Sequence, residues 1–228
     1  MIIAISQRNM KVKIGANRDA LENDYVSFYE KFGITLLPIP NVSKNLDAYF
    51  KKFNIQAIIL TGGNSINPKI YGGKPKNEDF SEERDKTEKK LIEIAVRDGL
   101  PLFGQCRGAQ FINVFFGGSL IQNVKANTGV NHIGVTHNVK IVDKKAIDFF
   151  HTDGLTINSY HAHGIGEDTL SNKLKPFAVS HDGIIEGLYH PKYPIAGVLW
   201  HPERKGSDKN FDKKLIKAFL NRKLFWEM

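Results

Sequence analysis

The chain has 228 residues, 41% of them hydrophobic and 11% aromatic, with a formal charge of +8 at neutral pH. That length and balance suit one globular domain over 1–228 with a sizeable core, and exclude a disordered or fibrous chain. The basic excess is 25 Lys against 7 Arg spread along the sequence. No zinc finger, RNP-type motif or helix-turn-helix accompanies it, so nucleic-acid binding is not expected, whereas a positive field favours a small anionic substrate.

The apolar run 2–5 has no basic segment before it and is too short for a signal peptide or membrane span, so it reads as the first buried strand. One cysteine excludes an intrachain disulfide and Cys-x-x-Cys metal arrangements, and points to a reducing, cytoplasmic setting. A helix is expected over Asp19–Phe32, with Leu21, Tyr25, Phe28 and Phe32 near helical spacing before Gly33. Strand-like runs follow at 34–39 and 55–60, and the Gly, Pro and Asn residues of 61–79 predict a loop over the sheet's carboxyl end. A second helix, Asp85–Asp98, leads through Gly99 and Pro101 into a strand at 100–103. The alternation is β-α-β-α, hence an α/β fold with a mainly parallel central sheet flanked by helices. Short runs at 138–142, 155–158, 177–180, 184–189 and 195–199 predict a small antiparallel extension in the C-terminal half, and a closing helix spans roughly Asp208 to Arg222.

The cysteine sits in Gly104-Gln105-Cys106-Arg107-Gly108, where an apolar run gives way to a helix pattern. Glycines two residues to either side allow a sharp strand-to-helix turn that pushes one side chain out of the sheet. Trp200-His201-Pro202-Glu203, after the run 195–199, supplies an imidazole and a carboxylate two residues apart. Cys106, His201 and Glu203 are therefore the candidate nucleophile, base and orienting acid. A helix starting at Arg107 and a nearby imidazole would both favour the thiolate.

These motifs resemble the class I glutamine amidotransferases, whose flavodoxin-like fold the chain is expected to share over nearly its whole length. Asn67-Pro68-x-x-Tyr71-Gly72, Arg84-Asp85 and Asn158-Ser159-Tyr160-His161 resemble the stand-alone γ-glutamyl hydrolases of the peptidase C26 group. The resemblance implies hydrolysis of a γ-glutamyl–nitrogen bond through a cysteine thioester. It places the oxyanion hole on the backbone N–H groups of Arg107 and Gly63 in the Gly62-Gly63 loop. It places substrate contacts on Gly62, Gln110, Asn158, Ser159, Tyr160 and His161. Within the group, the chain is similar to hydrolases of γ-glutamyl-CDP-amidate that serve capsule phosphoramidate synthesis. Glutaminase action feeding a synthetase partner, hydrolysis of γ-glutamyl-γ-aminobutyrate or polyglutamyl folate, and non-catalytic ligand binding are the alternatives. The sequence also leaves room for a homodimer.

Two positions depart from the group's pattern, Gln105 in the elbow and His163 where Gln is common. His161-x-His163 would share a face on a strand, but no third ligand accompanies it, so no metal site and no cofactor are expected. His132, His137, His151, His181 and His190 read as structural or surface histidines.

Overall fold

A computed structural model describes residues 1–12, 15–75 and 79–224. The first strand, β1 (Ile2–Ile5), is followed by a short hairpin of β2 (Arg8–Lys11) and β3 (Asn17–Ala20). The expected first helix thus starts late, as α1 (Asn23–Tyr29) with one 3-10 turn to Phe32. Asp19 belongs to the hairpin because its carboxylate accepts the backbone N–H and the side-chain amide of Asn41, at 2.8 and 2.7 Å. Then come β4 (Thr35–Pro38), α2 (Leu46–Phe53), β5 (Ala57–Leu60), α3 (Glu82–Asp98), β6 (Leu102–Gln105) and α4 (Arg107–Phe115). Helix α3 starts three residues earlier than its apolar pattern predicts because the Ser81 side chain caps it by accepting the Arg84 N–H.

The second half holds α5 (Val124–Thr128), β7 (Ile133–Ile141), α6 (Lys144–Phe150), β8 (Gly154–Tyr160), β9 (Lys175–Ser180), β10 (Ile185–Tyr189), β11 (Ile195–Val198) and α7 (Lys209–Leu220). Nine strands form one sheet in the order β4-β1-β5-β6-β11-β10-β9-β7-β8. The five from β4 to β11 pair in parallel, and the remaining four extend the sheet antiparallel, as the change of sequence character in the second half predicts.

Alternate residues of the parallel strands face opposite layers. Ile3, Ile59, Phe103 and Val198 pack with α1 and α7 through Tyr29, Leu215 and Phe219. Ala4, Ile58, Leu60 and Leu102 pack with α3 and α4 through Leu91, Ala95 and Ile112. Because β5, β6 and β11 are adjacent and parallel, the segments after Leu60, Gln105 and Val198 emerge side by side at one edge. No helix among the described residues is long and apolar enough to cross a membrane.

Candidate active site

Between β6 and α4, Cys106 adopts φ 52° and ψ −109°, a conformation that costs an L-residue energy and is held only by surrounding structure. The Cys106 N–H still donates to Val198 O in β11 (2.8 Å), so the sheet grips the elbow from one side. Helix α4 grips it from the other. A Cβ on Gly108 would lie 2.3 Å from Leu60 O, and one on Gly104 2.6 Å from the Gly108 carbonyl carbon, so glycine at both positions lets α4 sit directly on β5 and β6.

His201 follows β11 and is fixed through its backbone. Asn158 of β8 accepts the His201 N–H (2.8 Å) and donates to His201 O (2.8 Å) and Lys205 O (2.9 Å). On the ring, Nδ1 lies 2.6 Å from Glu203 Oε1, which leaves Nε2 for the thiol. The second Glu203 oxygen accepts from Gln105 Nε2 (3.1 Å), and Gln105 Oε1 accepts from the Tyr29 hydroxyl (3.1 Å). Gln105 therefore faces Glu203 beneath the elbow, not the substrate side.

Charge follows from this geometry. Burial pushes the Cys106 thiol up, but the His201 cation and its hydrogen bond, together with the Arg107 N–H, outweigh it and hold the thiol below its ordinary value. Burial pushes His201 down, yet Cys106 and Glu203 raise it to about 10. Each member of the pair thus favours the charged form of the other, thiolate beside imidazolium.

The thiol opens into a cavity of about 650 Å³ lined in part by Gly63, Arg107, Gln110, Tyr160 and His161. Tyr160 is 43% exposed and meets the His201 ring edge-on, with centroids 5.6 Å apart. Gln110 reaches across to donate to His163 O (2.8 Å). Three expected substrate contacts are placed otherwise. Asn158 spends its amide on the His201 backbone, Ser159 is buried with its hydroxyl on His132 O (2.7 Å), and the Gly62 N–H donates to the Tyr25 hydroxyl (2.9 Å). Gly62 lies so near His201 that a Cβ there would come within 2.9 Å of Cε1.

The Thr61–Asn64 loop hangs on a buried cation that the sequence reading did not single out as part of the site. Arg84 of α3 donates to the carbonyls of Thr61 (2.8 Å), Gly62 (2.9 Å) and Gly63 (3.0 Å) and pairs with Glu88 (2.9 Å). Glu88 also pairs with the Arg107 side chain, which takes Asp85 as well. One network thus joins this loop to the first residue of α4. In the sequence Arg84 stood out only within the Arg84-Asp85 motif, without a role, and its i,i+4 spacing to Glu88 ordinarily marks a solvated face.

The histidines divide. His151 ends α6 exposed and His181 is exposed, while buried His190 accepts the N–H groups of Lys192 and Tyr193 at Nδ1. His132 and His137, however, gather with His161 around the buried Glu186. His161 and His163 do not share a strand face, because β8 ends at Tyr160 and the chain turns so that His161 Nδ1–H donates to His163 O (2.8 Å). In the loop 64–79, Lys74 exchanges two hydrogen bonds of 2.8 Å with Gln122, and residues 76–78 lie outside the described residues.

The comparisons agree with this architecture. The chain is 31% identical over 212 residues to the gamma-glutamyl-CDP-amidate hydrolase of Campylobacter jejuni, covering 92% of this chain and 94% of that protein. It is 28% identical to the gamma-glutamyl-gamma-aminobutyrate hydrolase of Escherichia coli O157:H7, over 73% and 71% of the two chains. In fold it is similar to the glutaminase domain of Trypanosoma brucei CTPS, with TM-score 0.67 and 15% identity over 98% of this chain and 94% of that one. The peptidase C26 profile matches residues 1–203, from the first strand to the glutamate beside His201, and the chain therefore belongs to that family of glutamine amidotransferase-like γ-glutamyl hydrolases.

Proposed function

We propose that the protein hydrolyses a γ-glutamyl–nitrogen bond through a thioester on Cys106, with γ-glutamyl-CDP-amidate as the substrate. The observation that carries the reaction is the strained thiol at the cavity floor, paired with an imidazole that Glu203 holds at 2.6 Å. The thiolate attacks the γ-carbonyl carbon, and the oxyanion is received by the N–H groups of Arg107 and Gly63, two donors each worth ~3 kcal/mol to the transition state. His201 gives its proton to the leaving nitrogen as the C–N bond breaks. The neutral imidazole then takes a proton from water, whose oxygen attacks the thioester, releasing glutamate and restoring the thiolate. Tyr160, Gln110 and His161 face the cavity and are the side chains that would meet the glutamyl group or its leaving group.

The choice of leaving group rests on the Campylobacter relative and on the net charge of +8, which suits a nucleoside diphosphate. The products would be glutamate and cytidine diphosphoramidate, in the cytoplasm, for capsule phosphoramidate synthesis. The test is glutamate release from γ-glutamyl-CDP-amidate, glutamine, γ-glutamyl-γ-aminobutyrate and polyglutamyl folate, each with Cys106→Ala as control. Turnover of the CDP-amidate above the others, abolished by the substitution, is expected. Fastest turnover of another member reassigns the leaving group, and none at all overturns the hydrolase reading.

A further inference from the structure

Behind the cavity, Glu186 is fully buried in β10 at a bulge, where Ile185 pairs with Val179 and Gly187 with Ala178 of β9, so that one extra residue is aimed aside. Three imidazole nitrogens approach its Oε1: His132 Nδ1 at 3.2 Å, His137 Nε2 at 3.5 Å and His161 Nε2 at 3.5 Å. The ligand atoms of His132, His137 and Glu186 all lie within 4.8 Å of one another. None of these inner contacts makes a hydrogen bond, and both Glu186 oxygens are left without a partner.

The outer nitrogens explain why this arrangement needs a cation. His132 Nε2 faces Asp182 Oδ2 at 3.1 Å, and His161 Nδ1–H is donated to His163 O at 2.8 Å. Each neutral ring has one N–H, and both outer partners are acceptors, so each inner nitrogen presents a lone pair to a buried carboxylate. Lone pair against carboxylate is repulsive, and only extra protons or a metal ion between them removes the conflict. Imidazolium–carboxylate hydrogen bonds would close to roughly 2.7–2.9 Å. The three separations of 3.2–3.5 Å that meet at Glu186 Oε1 instead lie near the ligand–ligand edge of a tetrahedron with zinc at its centre, roughly 3.3 Å for bonds of ~2.0–2.1 Å, and an ion would draw the imidazole nitrogens of His132 and His137, within 4.8 Å of each other, closer together. A carboxylate or carbonyl on the far nitrogen is also the usual outer support of a metal-bound histidine.

We propose that His132 Nδ1, His137 Nε2 and Glu186 hold a divalent transition metal, zinc foremost, and that His161 Nε2, 3.5 Å from Glu186 Oε1, closes on the ion as its fourth ligand. Four protein ligands leave no open position, so the ion is structural. It ties the β10 bulge to the segments that carry His132 and His161, both in the cavity wall.

The test begins with full-length protein purified without a polyhistidine tag, without metal-affinity resin and without chelator, and analysed by elemental mass spectrometry. About one equivalent of zinc per chain is expected. After dipicolinate treatment, added Zn(II) should raise Tm by several degrees, and Co(II) should give the visible bands of a tetrahedral N,O site. Both responses should vanish in Glu186→Gln and weaken in His137→Ala. If these variants do not fold, the wild-type metal content and the Zn(II) response decide alone. Metal far below one equivalent with no Tm response to Zn(II) or Co(II) overturns the site, as does NMR evidence that His132 and His161 are imidazolium in the wild type under the same conditions.

Discussion

Arg84→Met tests whether a buried cation holds the Thr61–Asn64 loop. Methionine fills much of the same space but removes the donors to the carbonyls of Thr61, Gly62 and Gly63, and leaves Glu88 with Ser6 and Arg107 alone. Each buried carbonyl left without a donor costs about 1–3 kcal/mol, and breaking a buried ion pair about 3–5 kcal/mol. These losses share one relaxation and do not add, so the expected fall in unfolding free energy is about 3–5 kcal/mol, a large part of the ~5–15 kcal/mol typical of a domain. Burial and the neighbouring Arg107 lower Arg84 to about 10, so it remains cationic in a neutral assay. If Gly63 supplies an oxyanion donor, releasing its loop should lower kcat about 100-fold, with a smaller change in KM. Arg84→Lys, which keeps the charge but loses the planar fork, should fall between. Urea unfolding followed by tryptophan fluorescence gives the first quantity and steady-state glutamate release the second. An Arg84→Met protein within about 1 kcal/mol of wild type and within a few-fold in kcat would refute the reasoning.

Three further predictions follow from the pair at the elbow. The rate should fall at low pH as the thiolate is protonated below the ordinary thiol range, hold through neutrality, and fall again as His201 loses its proton near 10. A rate that climbs steadily to the unperturbed thiol pKa would contradict the ion pair. Because Glu203 raises His201, Glu203→Gln should move the alkaline limb of that profile to lower pH as well as reduce kcat, and an unmoved limb would show the carboxylate to be only a packing group. Gly62→Ala should cut kcat by forcing a methyl group toward His201 Cε1, a 2.9 Å approach, with little change in the unfolding midpoint. Full activity in that variant would mean that His201 is not confined against the loop.

The parallel strands β1, β5, β6 and β11 were legible because they are buried on both faces and read as largely apolar runs, such as Ala57–Leu60. The elbow was legible because backbone packing closer than a Cβ allows leaves no residue but glycine at 104 and 108. The hairpin at 8–20 was not, since its strands are polar and partly exposed and owe their place to Asp19 and Asn41 hydrogen bonds that no periodicity reports. Asn158 and Ser159 stand beside His161 in sequence, but only the register of β8 shows that their side chains turn to backbone groups instead of the cavity. Glu186 left a faint trace, one carboxylate inside the apolar run 184–189, and the bulge that aims it is a matter of pairing with β9.

The most direct measurement is intact-mass analysis of the enzyme acid-quenched during turnover of its best γ-glutamyl substrate, with the adduct mapped by peptide sequencing. A glutamyl adduct on Cys106 is predicted in the wild-type enzyme and absent from Cys106→Ala, which releases no glutamate. Glutamate release by Cys106→Ala, or an adduct at any other residue, would contradict the account.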